Sequence, residues 1–180
     1  MELFNCIKSR NSIRKYIPEK IVKHTDIIKI LQAAICAPSY KNMQPWKIYI
    51  VEEKNLIKEI CNRSIYYKWM KDAPLIFAVF LDNKISYNRI KDLQSVRAFI
   101  QNILLECNDL GLGACWIGEI LNSKEQINEL LHIEKQYELM AIITIGHKSF
   151  PETSKSKKRK HIDKFILGWK KQNEKNSLLQ

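Results

Sequence analysis

The chain has 180 residues, of which 46% are hydrophobic and 27% are charged, the balance of an ordinary globular domain. No apolar run approaches the roughly 18 residues of a membrane span, and the N-terminus lacks the apolar core of a signal peptide, so we expect a cytoplasmic protein. The net charge of +11 favours a phosphate-bearing partner: a nucleic acid, an anionic lipid or a phosphorylated cofactor.

The pattern of apolar residues mixes helices and strands without strict β-α-β alternation, which favours an α+β fold. In chain order, the predicted helices are 2–8, 25–35, 55–62, 96–110 and 123–131, and the predicted strands are 47–52, 75–81, 114–118 and 137–146. Residues 37–46 and 82–92 are predicted loops, and 162–169 form a last short apolar element. The strand at 75–81 is apolar throughout, so we expect it in the centre of the sheet.

Several helix details follow from the same pattern. Thr25 or Asp26 is expected to cap the second helix. Residues 123–126 match a capping box that opens the helix ending at 131. We expect the first helix to face the core with its apolar residues, which are Leu3, Phe4 and Ile7.

The stretch from Val96 to Gly118 organises the chain. Residues 99–110 are almost continuously apolar at helical length, which indicates a helix buried on most sides, in a large core or against a partner chain. Gly111 supplies the left-handed conformation that ends such a helix. A short strand then follows, an arrangement that can place backbone N–H groups beside a ligand; an ordinary core helix with a glycine stop is the alternative.

The sequence argues against several kinds of site. The five cysteines are far apart and form no C-x-x-C pair, and the four histidines lack metal-ligand spacing, so we predict neither a metal site nor a disulfide framework. Gly111, Gly113 and Gly118 fail the dinucleotide fingerprint because a helix precedes them and Trp116 stands where a glycine is needed. Thiols without such motifs fit a reducing cytoplasm.

Two basic segments could hold a phosphate. Arg10, Ser12 and Arg14 alternate, so in an extended chain they share one face, and arginine offers bidentate donors to phosphate. Lys157 and Arg159 have the same spacing near the other end of the chain. A solvated basic surface is the alternative interpretation of both segments.

Four blocks of sequence resemble the nitroreductase family of FMN-dependent oxidoreductases, in family order. They are SRNSIRKY, APSYKNMQPW, QNILLECNDLGLGACWIG and KSKKRKHIDKFILGW, which together span residues 9–169. The resemblance implies a mixed sheet flanked by helices and an intertwined homodimer, with the long helix in the dimer core. We therefore expect a single FMN-binding domain over 1–169 and a polar tail over 170–180.

The resemblance also implies a cofactor site built from both chains. The residues that it assigns to the phosphate end are Arg10, Asn11, Ser12, Arg14, Lys157 and Arg159, with Asn11 replacing a family arginine. The residues that it assigns to the flavin are Pro38, Ser39, Tyr40, Asn42, Gln44, Trp116, Ile117 and Gly118. Pro38, Ser39 and Tyr40 would come from the partner subunit, Asn42 would bond the pyrimidine side, and a backbone N–H near Gly118 would point at N5.

The implied activity is hydride transfer from NADH or NADPH to FMN, followed by reduction of a nitroaromatic, a quinone or a similar small acceptor in ping-pong turnover. FMN supplies this chemistry, so we predict no catalytic side chain. Alternatives are a flavin-binding protein without turnover, the same fold with reductive dehalogenation or dehydrogenation, and, less favoured, a basic nucleic-acid-binding module. We expect neither a membrane nor a nucleic acid as partner.

Overall fold

The computed structural model describes residues 1–149 and 159–169. Its helices are α1 (Leu3–Ser9), α2 (His24–Ile35), α3 (Lys54–Cys61), α4 (Tyr67–Met70), α5 (Arg89–Asp109) and α6 (Lys124–Leu130). Its strands are β1 (Trp46–Val51), β2 (Leu75–Asp82), β3 (Leu112–Ile117) and β4 (Tyr137–His147). Short 3₁₀ turns span Tyr40–Asn42, Glu119–Ser123 and Ile162–Lys164.

The four strands form one sheet in the order β1-β2-β4-β3, and each neighbouring pair is antiparallel. A parallel bridge between Ser12 and Ala114 extends the sheet beyond the edge strand β3. The α+β class and the central position of β2, which is buried along its whole length, are confirmed. Both faces of β2 are covered because each faces its own apolar cluster, one with α2 and α5 and the other with α3 and α6.

Helix α5 is the long buried helix that the sequence predicted, and Gly111 ends it with φ +75°. It begins at Arg89, so the predicted loop over 82–92 is wrong in its second half. Asn88 caps the helix, because its side chain accepts a hydrogen bond from the N–H of Lys91 at 3.2 Å. The polar first turns of α5 hid its start from a search for apolar periodicity.

The structure corrects three further helix details. The helix α2 begins at His24, ahead of both predicted caps, Thr25 and Asp26. Ser123 stands at the N-cap of α6 but makes no capping bond, because its hydroxyl donates to the Arg63 carbonyl at 2.9 Å. The α1 residues expected to face inward are instead exposed in the single chain: Leu3 by 70%, Phe4 by 66% and Ile7 by 49%.

Candidate functional site

The predicted phosphate segment runs in an extended conformation beside the edge strand β3. The N–H of Ile13 donates to the Ala114 carbonyl at 3.0 Å, and the adjacent Ser12 forms the parallel bridge to the same residue. The Ile13 side chain is buried, so the alternating side chains of Arg10, Ser12 and Arg14 belong to the opposite face. The structure thus holds these residues in the alternation that a shared anion site needs.

Tyr16 fixes the far end of this segment. Its buried hydroxyl lies 2.7 Å from the Ile13 carbonyl, to which it donates, and 2.8 Å from the hydroxyl of Thr144 on β4. Burial, the largest cause, raises the pKa of the Tyr16 hydroxyl above its ordinary value, so it stays protonated as a donor. The segment is therefore tied to both β3 and β4.

Two glycines let the segment approach the sheet. A Cβ atom added at Gly113 would lie 2.6 Å from Cγ2 and 2.8 Å from Cβ of Ile13. A Cβ added at Gly146 would lie 2.5 Å from Cδ of Pro74 and 3.0 Å from the Tyr16 ring. Gly113 and Gly146 are therefore required for packing beneath the segment.

The basic side chains of the segment face solvent or lie half-buried. The Arg14 guanidinium carbon lies 5.9 Å from the ring centroid of Trp69, a cation–π distance. The Asn11 side chain donates to the Ser9 carbonyl at 2.9 Å, so it stabilises the turn out of α1. Neither Arg10 nor Arg14 forms an ion pair with a carboxylate within the described residues, which leaves both charges available to an anion.

A cavity of about 930 Å³ lies between the first half of α5 and the end of β3. Trp116 and Gly118, both predicted flavin residues, line it. The β3–β4 ladder ends at Ile117, and a Cβ added at Gly118 would meet no atom within 4 Å. This end of β3 therefore offers a ligand an open backbone surface. Further lining residues that the sequence analysis missed are Arg89, Ile90, Leu93, Gln94, Arg97, Lys124, Glu138 and Met140.

The cavity wall carries an ion pair. The Arg89 guanidinium donates to both carboxylate oxygens of Glu138, at 2.7 and 3.0 Å. These hydrogen bonds lower the pKa of the Glu138 carboxyl below its usual range, so the group stays ionised at neutral pH. Arg97 and Lys124 add positive charge to the same lining.

The residues that follow Gly118 have structural partners. The Glu119 carboxylate accepts a hydrogen bond from the Ser64 hydroxyl at 2.6 Å, which directs at least one of its oxygens to the α3–α4 connection. Cys115 is buried in the core on β3. Neither observation assigns a redox role to a side chain beside the cavity.

The predicted flavin loop, 38–44, is closed by its own hydrogen bonds. The Ser39 hydroxyl accepts from the Gln44 N–H at 3.0 Å, and the Gln44 side-chain amide donates to the Asn42 carbonyl at 3.3 Å. Lys41, Asn42 and Gln44 have φ values of 50°, 55° and 49°, a left-handed conformation that is uncommon for residues other than glycine. Such conformations persist where the surrounding structure enforces them, often at functional sites.

Within one chain, the predicted site residues fall into separate groups. The loop residues Pro38, Ser39 and Tyr40 line a second cavity of about 370 Å³. Among the described residues, only Gln94 is common to its lining and to that of the larger cavity. Arg159 is exposed, and Lys157 lies outside the described residues. Ile117 is buried in the core instead of facing the cavity.

The described residues contain neither a metal-binding cluster nor a membrane-spanning helix. No group of three or more histidine, cysteine or acidic side chains there is arranged to hold a metal ion. No helix among those residues has both the length and the apolar character needed to cross a bilayer.

Comparisons with known proteins agree on one family. The sequence model of the Nitroreductase family matches residues 7–65 and 60–147. A provisionally named NADH dehydrogenase/NAD(P)H nitroreductase from Methanothermobacter thermautotrophicus is 32% identical over 153 residues, which cover 82% of this chain and 78% of the relative. An iodotyrosine deiodinase from Thermotoga neapolitana is 26% identical over 175 residues, covering 83% of this chain and 90% of the relative.

The fold has a similar solved structure. One such structure is that of a provisionally named nitroreductase from Desulfovibrio desulfuricans, crystallised in complex with FMN. The two share 29% sequence identity with a TM-score of 0.87, over 96% of this chain and 99% of the other.

Proposed function

Because the chain belongs to the nitroreductase family, we propose that it is an FMN-dependent oxidoreductase that uses NADH or NADPH. One observation carries the proposal: the Arg10–Arg14 segment is fixed to β3 at Ala114, two residues before the cavity-lining Trp116. A cation-rich strip and an open strand end therefore adjoin on one element. A ligand with a phosphate at one end and a flat ring at the other could therefore bind both surfaces at once.

The residues present fit FMN. A phosphate carries up to two negative charges and needs fixed donors, and Arg10, Ser12 and Arg14 offer two guanidiniums and a hydroxyl free of carboxylate partners within the described residues. The space beside Gly118 is open because glycine has no side chain, so the edge of a flavin ring could approach the backbone there. Asn11, Lys157 and Arg159 belong to the proposed phosphate end as expectations from the family resemblance.

FMN, when bound, supplies hydride and electron transfer between NAD(P)H and an acceptor. The chain supplies binding and orientation. A backbone N–H beside Gly118 would donate to the ring, and Trp116 would lie along it, with Ile117 packing beneath from the core. Asn42 and Gln44 would satisfy the polar pyrimidine edge. No side chain is assigned as an acid or a base.

We propose a homodimer because one chain does not bring the loop 38–44 to the large cavity. A partner's loop could line it instead. The exposed apolar residues of α1, Leu3, Phe4 and Ile7, form an unusual surface for a monomer and favour burial against a second copy. Size-exclusion chromatography with light scattering should give twice the chain mass, and Phe4→Glu/Ile7→Glu should give monomers. Ile65→Glu, an exposed position between α3 and α4, is the matched control and should stay dimeric.

Nitroaromatics and quinones are the proposed acceptors, in ping-pong turnover, and we propose a cytoplasmic location. Steady-state oxidation of NADH and NADPH at several quinone concentrations should give parallel double-reciprocal lines. Flavin binding without NAD(P)H oxidation would instead support a flavin carrier.

Reductive dehalogenation is a second candidate, favoured by the relative named iodotyrosine deiodinase. Halide release from a halogenated phenol under anaerobic NADPH would support it.

Steep salt-dependent binding to generic DNA would support the basic-module alternative. Domain limits of 1–169, with a tail over 170–180, remain a proposal, testable by limited proteolysis.

A further inference from the structure

Two tyrosines and two lysines form a tyrosine–lysine cluster beside the loop 38–44. The rings of Tyr40 and Tyr87 stack with centroids 5.1 Å apart and planes inclined by 24°. Nζ of Lys91 lies 3.8 Å from the Tyr40 centroid, and Nζ of Lys41 lies 4.4 Å from the Tyr87 centroid. Both rings remain partly exposed, so the cluster presents aromatic surface and positive charge together.

A buried carboxylate holds this cluster in place. One oxygen of Asp92 accepts hydrogen bonds from the Ser86 hydroxyl at 2.7 Å, the Tyr87 N–H at 3.0 Å and the Asn88 N–H at 2.8 Å. Asp92 is only 1% exposed, in the first turn of α5. Tyr87 is therefore fixed by the helix that also carries Lys91.

The cluster borders the 370 Å³ cavity. Tyr40 and Lys91 line it together with the neutral residues Pro38, Ser39, Gln94, Ser95 and Ala98, so the part of its lining that the structure describes contains a cation and no carboxylate. Neither Lys41 nor Lys91 forms an ion pair with a carboxylate in the described part of the chain. An ammonium has three N–H donors, and a ring contact leaves at least one of them directed away from the ring, so both lysines can still bind an anion.

We infer that this cluster selects aromatic electron acceptors that carry a negative charge, an inference that rests on the proposed function. In the proposed dimer, where a partner's loop 38–44 would line the flavin cavity, the acceptor ring would stack on the tyrosine pair beside that loop, where offset aromatic contacts are favourable. Its carboxylate or sulfonate would pair with the lysine ammoniums. An uncharged acceptor of the same shape would keep the stacking and lose the charge pairing.

The test compares two nearly isosteric acceptors, 4-nitrobenzoate and 4-nitrobenzamide. In ping-pong turnover, kcat/KM for the acceptor reports only the half-reaction with that acceptor. The ratio of the two values, compared between proteins, removes their difference in reduction potential. Lys41→Gln/Lys91→Gln should lower the benzoate-to-benzamide ratio about fivefold, and high salt should lower it in the parent protein because salt screens exposed charges. Lys58→Gln, an exposed lysine of α3 on the opposite face of the sheet from α5, is the control and should not change the ratio.

A second readout avoids turnover. Benzoate and benzamide are not reduced, so calorimetric titration into the oxidised holoprotein measures binding alone. Benzoate should bind more tightly than benzamide, and the double variant should lose that difference. An unchanged kcat/KM ratio and an unchanged binding preference in a variant that still takes up FMN would overturn the inference and leave the proposed function intact. A protein that takes up no FMN would overturn both.

Discussion

Gly113→Ala should displace the phosphate segment from β3. The added Cβ would lie 2.6 Å from Cγ2 of Ile13, whereas carbon atoms pack at about 3.5 Å or more. Relief requires a shift of about 0.9 Å, which would stretch the 3.0 Å hydrogen bond from the Ile13 N–H to the Ala114 carbonyl beyond bonding range. Overpacking of this kind costs about 1–3 kcal/mol of unfolding free energy.

The assay pairs urea unfolding with FMN titration by flavin fluorescence. Gly113→Ala should lose stability and also bind FMN at least about tenfold more weakly, since hydrogen bonds to a charged group contribute about 1.5–3 kcal/mol each. Gly118→Ala is the matched control: its Cβ meets open space, so stability should hold while FMN affinity falls. Gly113→Ala with wild-type stability and FMN affinity would refute the packing argument.

Single charges and buried thiols of the protein can also be tested. Arg14→Ala should weaken FMN binding by about 1.5–3 kcal/mol by calorimetry, and unchanged affinity would remove Arg14 from the phosphate site. Burial raises the pKa of the Cys61 thiol to about 12 and raises that of the Cys107 thiol above its ordinary value. Iodoacetamide at about pH 8.5 should therefore leave both thiols unmodified in the native protein. In denaturant it should label both, as mass spectrometry would detect. The Arg89 guanidinium lowers the pKa of the Glu138 carboxyl. The pair therefore stabilises the fold at pH values above the ordinary glutamate pKa, and this contribution is lost as the pH falls through the lowered pKa. Arg89→Met should lower the free energy of unfolding by up to about 1 kcal/mol at pH 7 and by almost nothing at about pH 2.

Local patterns in the sequence predicted much of the fold. A fully apolar run marked β2 as central, and a glycine after a long apolar helix marked the end of α5, because burial and left-handed geometry each leave a direct signature. Periodicity did identify the apolar face of α1. It could not say what covers that face, because periodicity reports which side is apolar and not which chain lies against it.

Side-chain hydrogen bonds to the backbone explain two of the other errors. The Ser123 hydroxyl had the spacing of a cap but bonds Arg63, 60 residues away. In the first turn of α5, the Asp92 carboxylate accepts hydrogen bonds from the backbone of the preceding loop. This turn is therefore polar, and its sequence resembles that of a loop. Asn88, an N-cap residue type, was the available signal for that start.

The site was predictable where neighbours in sequence act together. The alternation of Arg10, Ser12 and Arg14 indicated one face without any knowledge of the fold. The role of Gly113 depends on Ile13, which lies 100 residues earlier, and the stacking of Tyr87 on Tyr40 depends on where α5 crosses the loop. Such contacts are set by the tertiary fold and leave no local pattern.

Flavin binding and its reduction by a nicotinamide are tested most directly by a visible absorption spectrum. The protein is reconstituted with FMN and desalted, and the spectrum is taken before and after anaerobic addition of NADH or NADPH. We predict flavin bands that remain with the protein after desalting and bleach when the reduced nicotinamide is added. A protein that stays colourless after incubation with FMN would contradict the assignment of the Arg10–Arg14 segment and the cavity beside Gly118 as a flavin site. Retained bands that neither NADH nor NADPH bleaches would contradict the proposed oxidoreductase activity and leave only flavin binding.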